Sequence, residues 1–417
     1  MRISFIIPSR NNLKYLQQAV GSITDCYGDS HDIVLLDDAS TDGTWKWIES
    51  LKGDHFVKYR NDGPERVGHT ILYDVGVSLS RTAIFSILHA DMVVSPDYVA
   101  NLTKHLDRKK VVCATRVEPP LHPPGPEKLV KHLGFEPEEF SYESFLNYIS
   151  PLESEYANVV TKGIFAPWCM YKEDFQAIEG HDKLFAPMEL EDSDIFNRMY
   201  LAGYDLIQSR DAFVYHMTCR GSRFKDGLEI EAEIPLPDGT IWYKPKDSEE
   251  YTKLRAVKFR EWWRKWGCNV LHDEYMMPIV PPKYDIGFII NYCNIQVLEI
   301  LEPWCSTLYI PEDMSVVRSH YIESEQRNSL FNLNRKIKQI GGTLLDNDIL
   351  VKFDARRFTQ HSYDTIRQLS QIIAESGEVG EFQLDIFEIK IRRLNTYQNR
   401  LITNSDPFYT DQLRVKI

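Results

Sequence analysis

Residues 85–94 read FSILHADMVV, in which two apolar runs enclose His89-Ala90-Asp91. The first run has the length and composition of a buried strand. An aspartate at this point has an ordinary interpretation, because strands often end in Asp where the chain turns toward solvent. It also has a functional interpretation, in which the carboxylate belongs to a binding site at the end of the strand. The rest of the sequence is needed to choose between the two.

The N-terminal part of the chain alternates short apolar runs with segments of helical spacing. Strands are predicted at residues 3–7, 32–38, 56–60 and 83–91, and helices at residues 12–23, 44–51 and 68–80. Regular alternation of this kind is typical of a mostly parallel sheet with helices on both faces. The sequence therefore predicts an α/β fold of the Rossmann type.

Composition limits the class of protein. The chain has 417 residues and a formal net charge of -13, whereas a general nucleic-acid binder needs a basic surface. We therefore expect no nucleic-acid partner. Seven cysteines without CxxC spacing favour reduced thiols, and no window approaches the roughly 20 apolar residues of a membrane span. These features predict a cytoplasmic protein without a transmembrane segment.

The regular pattern stops at residues 118–163, where a proline-rich loop precedes an acidic helical stretch. Insertions of this size are often functional, and covering a sheet edge is an equally good explanation. The pattern returns with a helix at residues 193–204 and a strand at residues 211–216. The polar segment that follows, up to about residue 249, is predicted to be irregular.

A basic helix with three tryptophans is predicted at residues 251–266. Trp262, Trp263 and Trp266 are expected to pack on protein and not on a membrane, since apolar stripes of helices usually face a core. Beyond a proline cluster, further strands are predicted at residues 286–294, 306–313, 348–355 and 381–391. We therefore divide the chain into a domain at 1–250, a helix and linker at 251–280, and a smaller C-terminal α/β domain of unknown role at 281–417.

Polar residues follow several of the predicted strands at the point where each strand ends. In folds of this class, ligands bind at the carboxyl ends of parallel strands. The first strand ends in Pro8-Ser9-Arg10-Asn11, the second in Asp37-Asp38, the fourth in His89-Ala90-Asp91, and the strand at residues 211–216 in His216.

Six motifs in this part of the chain carry a family resemblance. They are FIIPSRNN, LLDDASTDGT, HADMVV, IEGHDKLF, ELEDSDIFNRMYLAGY and VYHMTCRGS, within about the first 225 residues. Their order resembles that of the family 2 glycosyltransferases, which have the GT-A fold and use nucleotide-sugar donors. The C-terminal domain lies outside the resemblance.

The resemblance assigns several residues to the donor nucleotide. Pro8, Ser9 and Arg10 occupy the positions where the family holds the nucleotide, and Asp38 matches the aspartate that contacts the base. Arg66, His89 and Ala90 are also assigned to donor binding. The position after Ser9 is often an aromatic residue that stacks on uracil, but here it is Arg10. A guanidinium can also lie on a base, so a UDP-sugar is expected while other nucleotides stay open.

The resemblance also implies a divalent metal. The HAD motif stands where the family has Asp-x-Asp, whose last carboxylate binds the cation that bridges the two phosphates. Asp91 supplies this carboxylate, His89 replaces the first aspartate, and His216 would complete the ligand set. Oxygen ligands suit Mg²⁺ or Mn²⁺, and the imidazole of His89 favours Mn²⁺. Arg220, Ser222 and Arg223 follow closely and are candidates for phosphate contacts.

An acidic cluster precedes the helix predicted at residues 193–204. In the family, a Glu-Asp pair at this place supplies the general base, and it matches Glu191 and Asp192. Clustered carboxylates raise one another's pKa, which suits a base that works near neutral pH. The alternative is helix capping by Asp192 or Ser193.

Together these features predict an inverting, metal-dependent glycosyltransferase that moves a sugar from a nucleotide-sugar donor to a hydroxyl of a glycan or other acceptor. Inversion follows from the resemblance, which implies one base and direct displacement. A sugar nucleotidyltransferase is the nearest enzymatic alternative, although the glycine-rich phosphate loop that it would need is missing after the first strand. A non-catalytic module that binds nucleotide sugars or glycans is the alternative of a different class.

Overall fold

The computed structural model describes residues 1–218, 223–224, 227–236 and 239–396. The chain forms two compact units. The N-terminal unit consists of Met1–Leu254 and His272–Pro278, and the C-terminal unit consists of Arg255–Leu271 and the chain from Ile279 onward. The helix and linker expected at residues 251–280 are thus divided between the two units.

A ten-stranded sheet forms the centre of the N-terminal unit. Its order is β3-β2-β1-β4-β9-β6-β10-β5, with β7 beside β6 and β8 beside β10. The strands are β1 (Ser4–Ser9), β2 (Asp32–Asp38), β3 (Phe56–Asn61), β4 (Ile84–Ile87), β5 (Met92–Val94), β6 (Lys110–Glu118), β7 (Lys128–Val130), β8 (Val160–Thr161), β9 (Trp168–Tyr171) and β10 (Asp205–His216).

The sheet is parallel in its first half and mixed in its second. Strands β1 to β4 pair in parallel, and so do β6 and β10. Strand β9 lies antiparallel between β4 and β6. Because β9 is antiparallel to both of its neighbours, β6 and β10 run in the same direction as β1, β2 and β4. All of these carboxyl ends therefore lie at one edge of the sheet.

Helices follow most strands of this unit. They are α1 (Leu13–Tyr27), α2 (Thr44–Ser50), α3 (His69–Leu79), α4 (Tyr98–Thr103), α5 (Tyr142–Glu155), α6 (Lys172–Ala177), α7 (Glu191–Leu201) and α8 (Glu249–Trp266), with a 3₁₀ turn at Lys183–Phe185. The boundary between the two units falls within α8. None of the helices in the described part of the chain is long and apolar enough to cross a membrane.

The two faces of strand β10 bury different clusters of side chains. Ala212 and Val214 belong to the main core, together with residues of α7. Phe213 and Tyr215 point to the opposite face and pack in a second cluster with residues of α5. Helices thus cover both faces of the sheet, which confirms the predicted α/β class with helices on both sides of a mostly parallel sheet. Helix α5 belongs to the insertion at residues 118–163, and it covers one face of β10.

One expectation for this unit was wrong. The segment before residue 249 was predicted to be irregular, but the structure contains an antiparallel hairpin of β11 (Ile230–Pro235) and β12 (Ile241–Pro245). Charged and apolar residues alternate in β11, and cross-strand ion pairs such as that of Glu231 with Lys244 (2.8 Å) compensate the charges. High polarity therefore did not indicate an irregular backbone here, because both strands are largely open to solvent.

The C-terminal unit is a second α/β structure, with the strand order β15-β14-β13-β16-β18-β17. Its strands are β13 (Ile286–Ile290), β14 (Thr307–Ile310), β15 (Ile337–Gln339), β16 (Ile349–Phe353), β17 (Gly380–Leu384) and β18 (Phe387–Ile391), and its helices are α9 (Ile295–Leu301), α10 (Ser315–Glu325), α11 (Leu333–Lys336) and α12 (Gln360–Ser376). Four 3₁₀ turns lie at Glu302–Trp304, Glu312–Met314, Gln326–Asn328 and Ala355–Arg357. This part of the chain thus has the second, smaller α/β structure that the sequence predicts.

The single strand predicted at residues 381–391 is a hairpin of β17 and β18. The chain reverses at Asp385, which has a positive φ of 50°, a conformation that Asp tolerates better than most residues. Two of the three tryptophans discussed above are confirmed as core residues, since Trp262 and Trp266 are buried. Trp263 stacks on Trp304 with ring centroids 4.9 Å apart.

A buried ionic cluster lies in the C-terminal unit. The carboxylate of Glu302 accepts hydrogen bonds from the Arg264 guanidinium and from the Tyr321 hydroxyl (2.8 Å). The ammonium group of Lys336 lies 3.0 Å from the same carboxylate. Burial opposes ionisation, but the surrounding cations lower the pKa of Glu302. The cluster fixes the end of α8 to the sheet connections of this unit.

Gly68 provides a local test of the fold, because it precedes α3 with a φ of 85°. A Cβ atom at this position would lie 1.9 Å from the carbonyl oxygen of Pro187. We expect Gly68→Ala to lower the free energy of unfolding by about 1–3 kcal/mol from backbone strain alone, as measured by chemical denaturation. Gly21→Ala is the matched control, because Gly21 lies within α1 with nothing near its Cβ position. That control is expected to be neutral or stabilising, and an equal loss in both variants would contradict the prediction.

Candidate active site

A cavity of about 420 Å³ opens at the carboxyl edge of the main sheet, within the usual range for a small-molecule site. Most of the residues predicted for the site line it. The lining residues are Pro8, Ser9, Arg10, Asn12, Asp38, Arg66, His69, Leu72, Tyr73, His89, Ala90, Asp91, His122, Phe165, Met188, Asp192, His216, Arg223 and Tyr251. Of the predicted donor, metal and catalytic residues that the structure describes, Glu191 alone is not among these lining residues.

Asp38, at the end of β2, fixes the chain that leads into α3. Its buried carboxylate accepts hydrogen bonds from the backbone N–H groups of Val67 and Gly68 (both 2.9 Å) and from the Asn61 amide (2.8 Å). The Arg10 guanidinium donates to the backbone carbonyl of Asp38 (2.6 Å). Asp38 therefore has a structural role at the cavity wall in addition to the base contact predicted for it.

The metal-ligand candidates come together through the pairing of two strands. Strand β5 runs antiparallel to the end of β10, with Met92 opposite His216. The preceding Asp91 is thereby placed beside His216, whose Nε2 lies 3.5 Å from Asp91 Oδ1. One ligand atom from each of His89, Asp91 and His216 lies within 4.8 Å of the others. This spacing and the N/O donor set fit a divalent transition metal.

Glu118, at the end of β6, orients His216. The His216 Nδ1 lies 2.8 Å from Glu118 Oε1, which leaves Nε2 for the side facing Asp91. A carboxylate behind a histidine ligand fixes the ring and its tautomer. Lys128 donates to the other oxygen of Glu118 (3.0 Å). Burial opposes ionisation of Glu118, but Arg116, His216 and Lys128 hold its pKa well below the usual range.

The two histidines of this group differ in protonation. Burial, reinforced by the nearby His216, lowers the pKa of His89 to about 3, so its imidazole is neutral and can ligate a metal. Burial also opposes the charge on His216, but Asp91 and Glu118 raise its pKa to about 9. A cation bound here would have to displace the proton from His216.

Asp192 and Glu191 lie in the first turn of α7 and have separate environments. Asp192 lines the cavity, whereas Glu191 is buried and its Oε1 lies 2.6 Å from Nε2 of His69. The N-cap residue of α7 is Leu190, without a side-chain capping bond. The structure thus does not support the capping alternative for Asp192 or Ser193.

The adjacent carboxyl groups of Glu191 and Asp192 have different pKa values. Burial opposes the charge of Glu191, but His69 lowers its pKa, so Glu191 is an ionised partner of that histidine. Burial and the neighbouring Glu191 charge raise the pKa of Asp192 to about 7. Two carboxyl groups with divergent pKa values are the pattern by which acid–base assignments are made in active sites. The geometry favours Asp192 over Glu191 as a proton acceptor at the cavity.

Two arginines bring positive charge to the cavity. Arg66 contacts Met188 through Nη2 (3.5 Å), and its Nε is buried without a hydrogen-bond partner among the described residues. Arg223 donates to Asp247 (2.5 Å) and lies over the Tyr251 ring. Both guanidinium groups suit an anionic ligand. Arg220 and Ser222, also predicted for phosphate contacts, lie outside the described residues.

The loop with the motif IEGHDKLF connects two helices that carry residues of the site. The backbone N–H of His181 donates to the Asp74 carboxylate, and the imidazole Nδ1 of His181 lies 2.8 Å from the same carboxylate. The buried Arg198 of α7 donates to the carbonyls of Ile178 (2.8 Å) and Gly180 (2.6 Å) and pairs with Asp194 (2.8 Å). The loop therefore ties α3 to α7, the two helices that carry His69 and Asp192.

Sequence reasoning missed several residues of the cavity and its support. His69, Tyr73, His122 and Tyr251 line the cavity, and Glu118 supports it. The four-residue spacing of His69 and Tyr73 places them on one face of α3, which was a usable signal. Glu118 also ends a strand, but the change of sequence pattern at this residue indicates only the start of the insertion. Neither His122 nor Tyr251 had a signal of this kind.

The comparison with protein-family models agrees with the motif analysis. Residues 4–158 match the family model described as glycosyl transferase family 2. No curated protein matches the sequence significantly. Two similar solved structures are GalNAc-T7 with UDP, GalNAc and Mn²⁺ (15% identity, 52% of this chain and 44% of that chain, TM-score 0.38) and the mannosyltransferase PcManGT from Pyrobaculum calidifontis in complex with GDP-Man and Mn²⁺ (20%, 52% and 57%, 0.36).

The chain spans about half the length of these two structures. The family match begins at β1, contains the HAD motif and ends within the insertion that follows β6. It thus confirms the predicted resemblance for the segment that supplies Asp38, His89 and Asp91. Residues 4–158 of this chain are thus similar to glycosyl transferase family 2.

Proposed function

We propose that the N-terminal unit is an inverting, metal-dependent glycosyltransferase that moves a sugar from a nucleotide-sugar donor to a hydroxyl of a glycan or other acceptor. One observation carries the proposal: the group of His89, Asp91 and His216 lines the same cavity as Asp192. Sugar transfer needs a counter-charge for the leaving diphosphate and a base for the attacking hydroxyl. The cavity offers candidates for both.

His89, Asp91 and His216 would hold the divalent cation, with Glu118 orienting His216. When bound, a divalent cation neutralises negative charge on a diphosphate leaving group. Two imidazoles and one carboxylate suit Mn²⁺ better than Mg²⁺, which prefers oxygen ligands. We therefore propose Mn²⁺ as the preferred ion, with Mg²⁺ as the weaker alternative.

Other residues of the cavity would bind the donor. Arg66 and Arg223 are placed to attract phosphate oxygens, because a guanidinium forms charge-assisted hydrogen bonds with them. Ser9, Arg10 and Asp38 lie at the ends of β1 and β2, where the nucleotide is expected. A UDP-sugar is the donor that we propose to test first, followed by other nucleotides because Arg10 replaces the expected aromatic residue.

Asp192 is proposed as the base that accepts the proton of the acceptor hydroxyl. A single base with direct displacement inverts the configuration at the transferred carbon. Glu191 is occupied by His69 and does not line the cavity. We therefore assign Glu191 a supporting role beside Asp192.

We also propose that the two units have different functions. Every residue that lines the cavity lies between Pro8 and Tyr251, within the N-terminal unit. We propose that residues 1–250 carry the chemistry and that the C-terminal α/β domain at residues 281–417, following the helix and linker at 251–280, serves acceptor recognition or assembly.

Removal of divalent cations tests the metal assignment. We expect a chelator to abolish donor hydrolysis, and Mn²⁺ to restore it better than Mg²⁺. Asp91→Asn and His216→Ala should each weaken Mn²⁺ binding at least tenfold in calorimetry, because the first replaces a carboxylate with a neutral amide and the second removes the imidazole. His320→Ala, at an exposed histidine of the C-terminal unit, is the control and should bind Mn²⁺ as the parent does. Full activity of Asp91→Ala in the presence of chelator would exclude the metal role.

The base assignment is tested with Asp192→Asn, which keeps the shape of the side chain but removes the proton acceptor. Turnover should fall on the order of a hundredfold or more, with donor dissociation constant and melting temperature little changed. Asp194→Asn is the contrasting variant, because it weakens the buried pair with Arg198 and should lower the melting temperature. An Asp192→Asn enzyme that transfers sugar at near the parental rate would refute the assignment.

The pH profile gives an independent test. The titratable and basic groups that bear on Asp192 are Glu191, His69, His181 and Arg116. Because the raised pKa of about 7 keeps Asp192 protonated in acid, kcat/KM should be low below that pH and rise as the carboxyl group loses its proton. Initial rates between about pH 5.5 and 9 measure this limb. A profile that is flat through neutrality would contradict the prediction.

A further inference from the structure

Tyr73 is a lining residue of the cavity that has no role in the function proposed above. Its side chain projects from α3, is almost fully buried, and lines the cavity. The ring lies against those of His69, His181 and His89, with centroid distances of 5.6, 5.5 and 6.5 Å. This packing on three sides fixes the direction of the phenol group.

The Tyr73 hydroxyl is a donor in an acidic environment. Burial raises its pKa well above the ordinary value, and the charges of Asp192, Glu191 and Asp91 raise it further. The Tyr73 hydroxyl forms no hydrogen bond with another described residue. Tyr98 is different, because its buried hydroxyl is paired with Ser86 at 2.8 Å. Buried hydroxyls usually have a partner, so the Tyr73 hydroxyl is available to a ligand in the cavity.

The position of this hydroxyl defines the ligand group that it can meet. Tyr73 lines the same cavity as Asp91 of the metal group and Asp192, and both charges act on its hydroxyl. In a direct displacement, the transferred sugar must lie between the diphosphate and the attacking hydroxyl. The acidic side chains around Tyr73 disfavour a phosphate at this point, whereas a neutral sugar presents hydroxyls that accept hydrogen bonds.

We propose that the Tyr73 hydroxyl donates a hydrogen bond to a hydroxyl of the transferred sugar and thereby selects the donor. The inference rests on the proposed glycosyltransferase function and adds a specificity-determining residue to it. A site that hydrogen-bonds a substrate hydroxyl discriminates strongly against analogues that lack it. Tyr73 would therefore distinguish donors that differ in that one hydroxyl, without contacting the nucleotide.

The test compares the binding of nucleotide sugars with that of the bare nucleoside diphosphates. Calorimetry in Mn²⁺ would use UDP-glucose, UDP-N-acetylglucosamine and GDP-mannose beside UDP and GDP. Tyr73→Phe keeps the ring and removes one oxygen. We expect it to bind the preferred nucleotide sugar about three- to tenfold more weakly, as for the loss of one hydrogen bond. The matching diphosphate should bind as it does to the parent.

Tyr98→Phe is the matched control. It removes the same oxygen from a buried tyrosine of the same unit that is not among the cavity-lining residues, so it should lower the melting temperature and leave both affinities unchanged. Deoxy analogues of the preferred donor identify the hydroxyl involved. The parent protein should lose affinity for one deoxy donor, and Tyr73→Phe should bind that analogue and the full donor equally.

The outcomes separate this inference from the proposed function. If the parent protein binds a nucleotide sugar and Tyr73→Phe binds it equally well, Tyr73 does not form a hydrogen bond that contributes to sugar binding, and the inference is wrong. An equal loss for the nucleotide sugar and its diphosphate also overturns the inference, because it places the effect at the diphosphate or in the shape of the site. If the parent binds none of the five compounds in Mn²⁺, the glycosyltransferase proposal fails together with this one.

Discussion

The site depends on the antiparallel pairing of β5 with the carboxyl end of β10. This pairing sets Met92 opposite His216 and so places Asp91 beside the His216 ring. A backbone hydrogen bond from Met217 to the carbonyl of Asp91 (3.1 Å) continues the contact beyond the strand. Strand register changes in steps of one residue, and each step would turn a side chain to the other face. The ladder therefore fixes the distance between the two candidate ligands.

Buried charge is the second constraint on the site. Glu118 and Glu191 are both nearly inaccessible to solvent, and both are held ionised by cationic partners. Leaving either carboxylate without its partner would be costly, because an unpaired buried charge is poorly solvated. Asp192 has no direct cationic partner of this kind among the described residues, and burial and the Glu191 charge raise its pKa. The arrangement gives adjacent carboxyl groups different protonation behaviour near neutral pH.

The fold could be predicted from the sequence where the hydrophobic pattern was regular. Alternation of apolar strands and helices in the first 91 residues identified β1 to β4 and α1 to α3, within a few residues at each end. The pattern was less informative where strands are exposed or short. The polar hairpin of β11 and β12 was predicted to be irregular, and the turn at Asp385 was not recognised within residues 381–391. Local pairing with little burial stabilises β11 and β12, whereas β18 also buries Phe387, Ile389 and Ile391.

The sequence by itself determined which chemical groups lie at strand ends, since Asp38, His89, Asp91 and His216 each follow an apolar run. It also determined the family resemblance of the N-terminal part through the order of its motifs. Only the tertiary structure decided how these groups combine. It paired Glu191 with His69, placed Glu118 behind His216, and turned Tyr73 into the cavity. These partners are distant in sequence, and their contacts arise from sheet order and helix packing, which have no local signal in the chain.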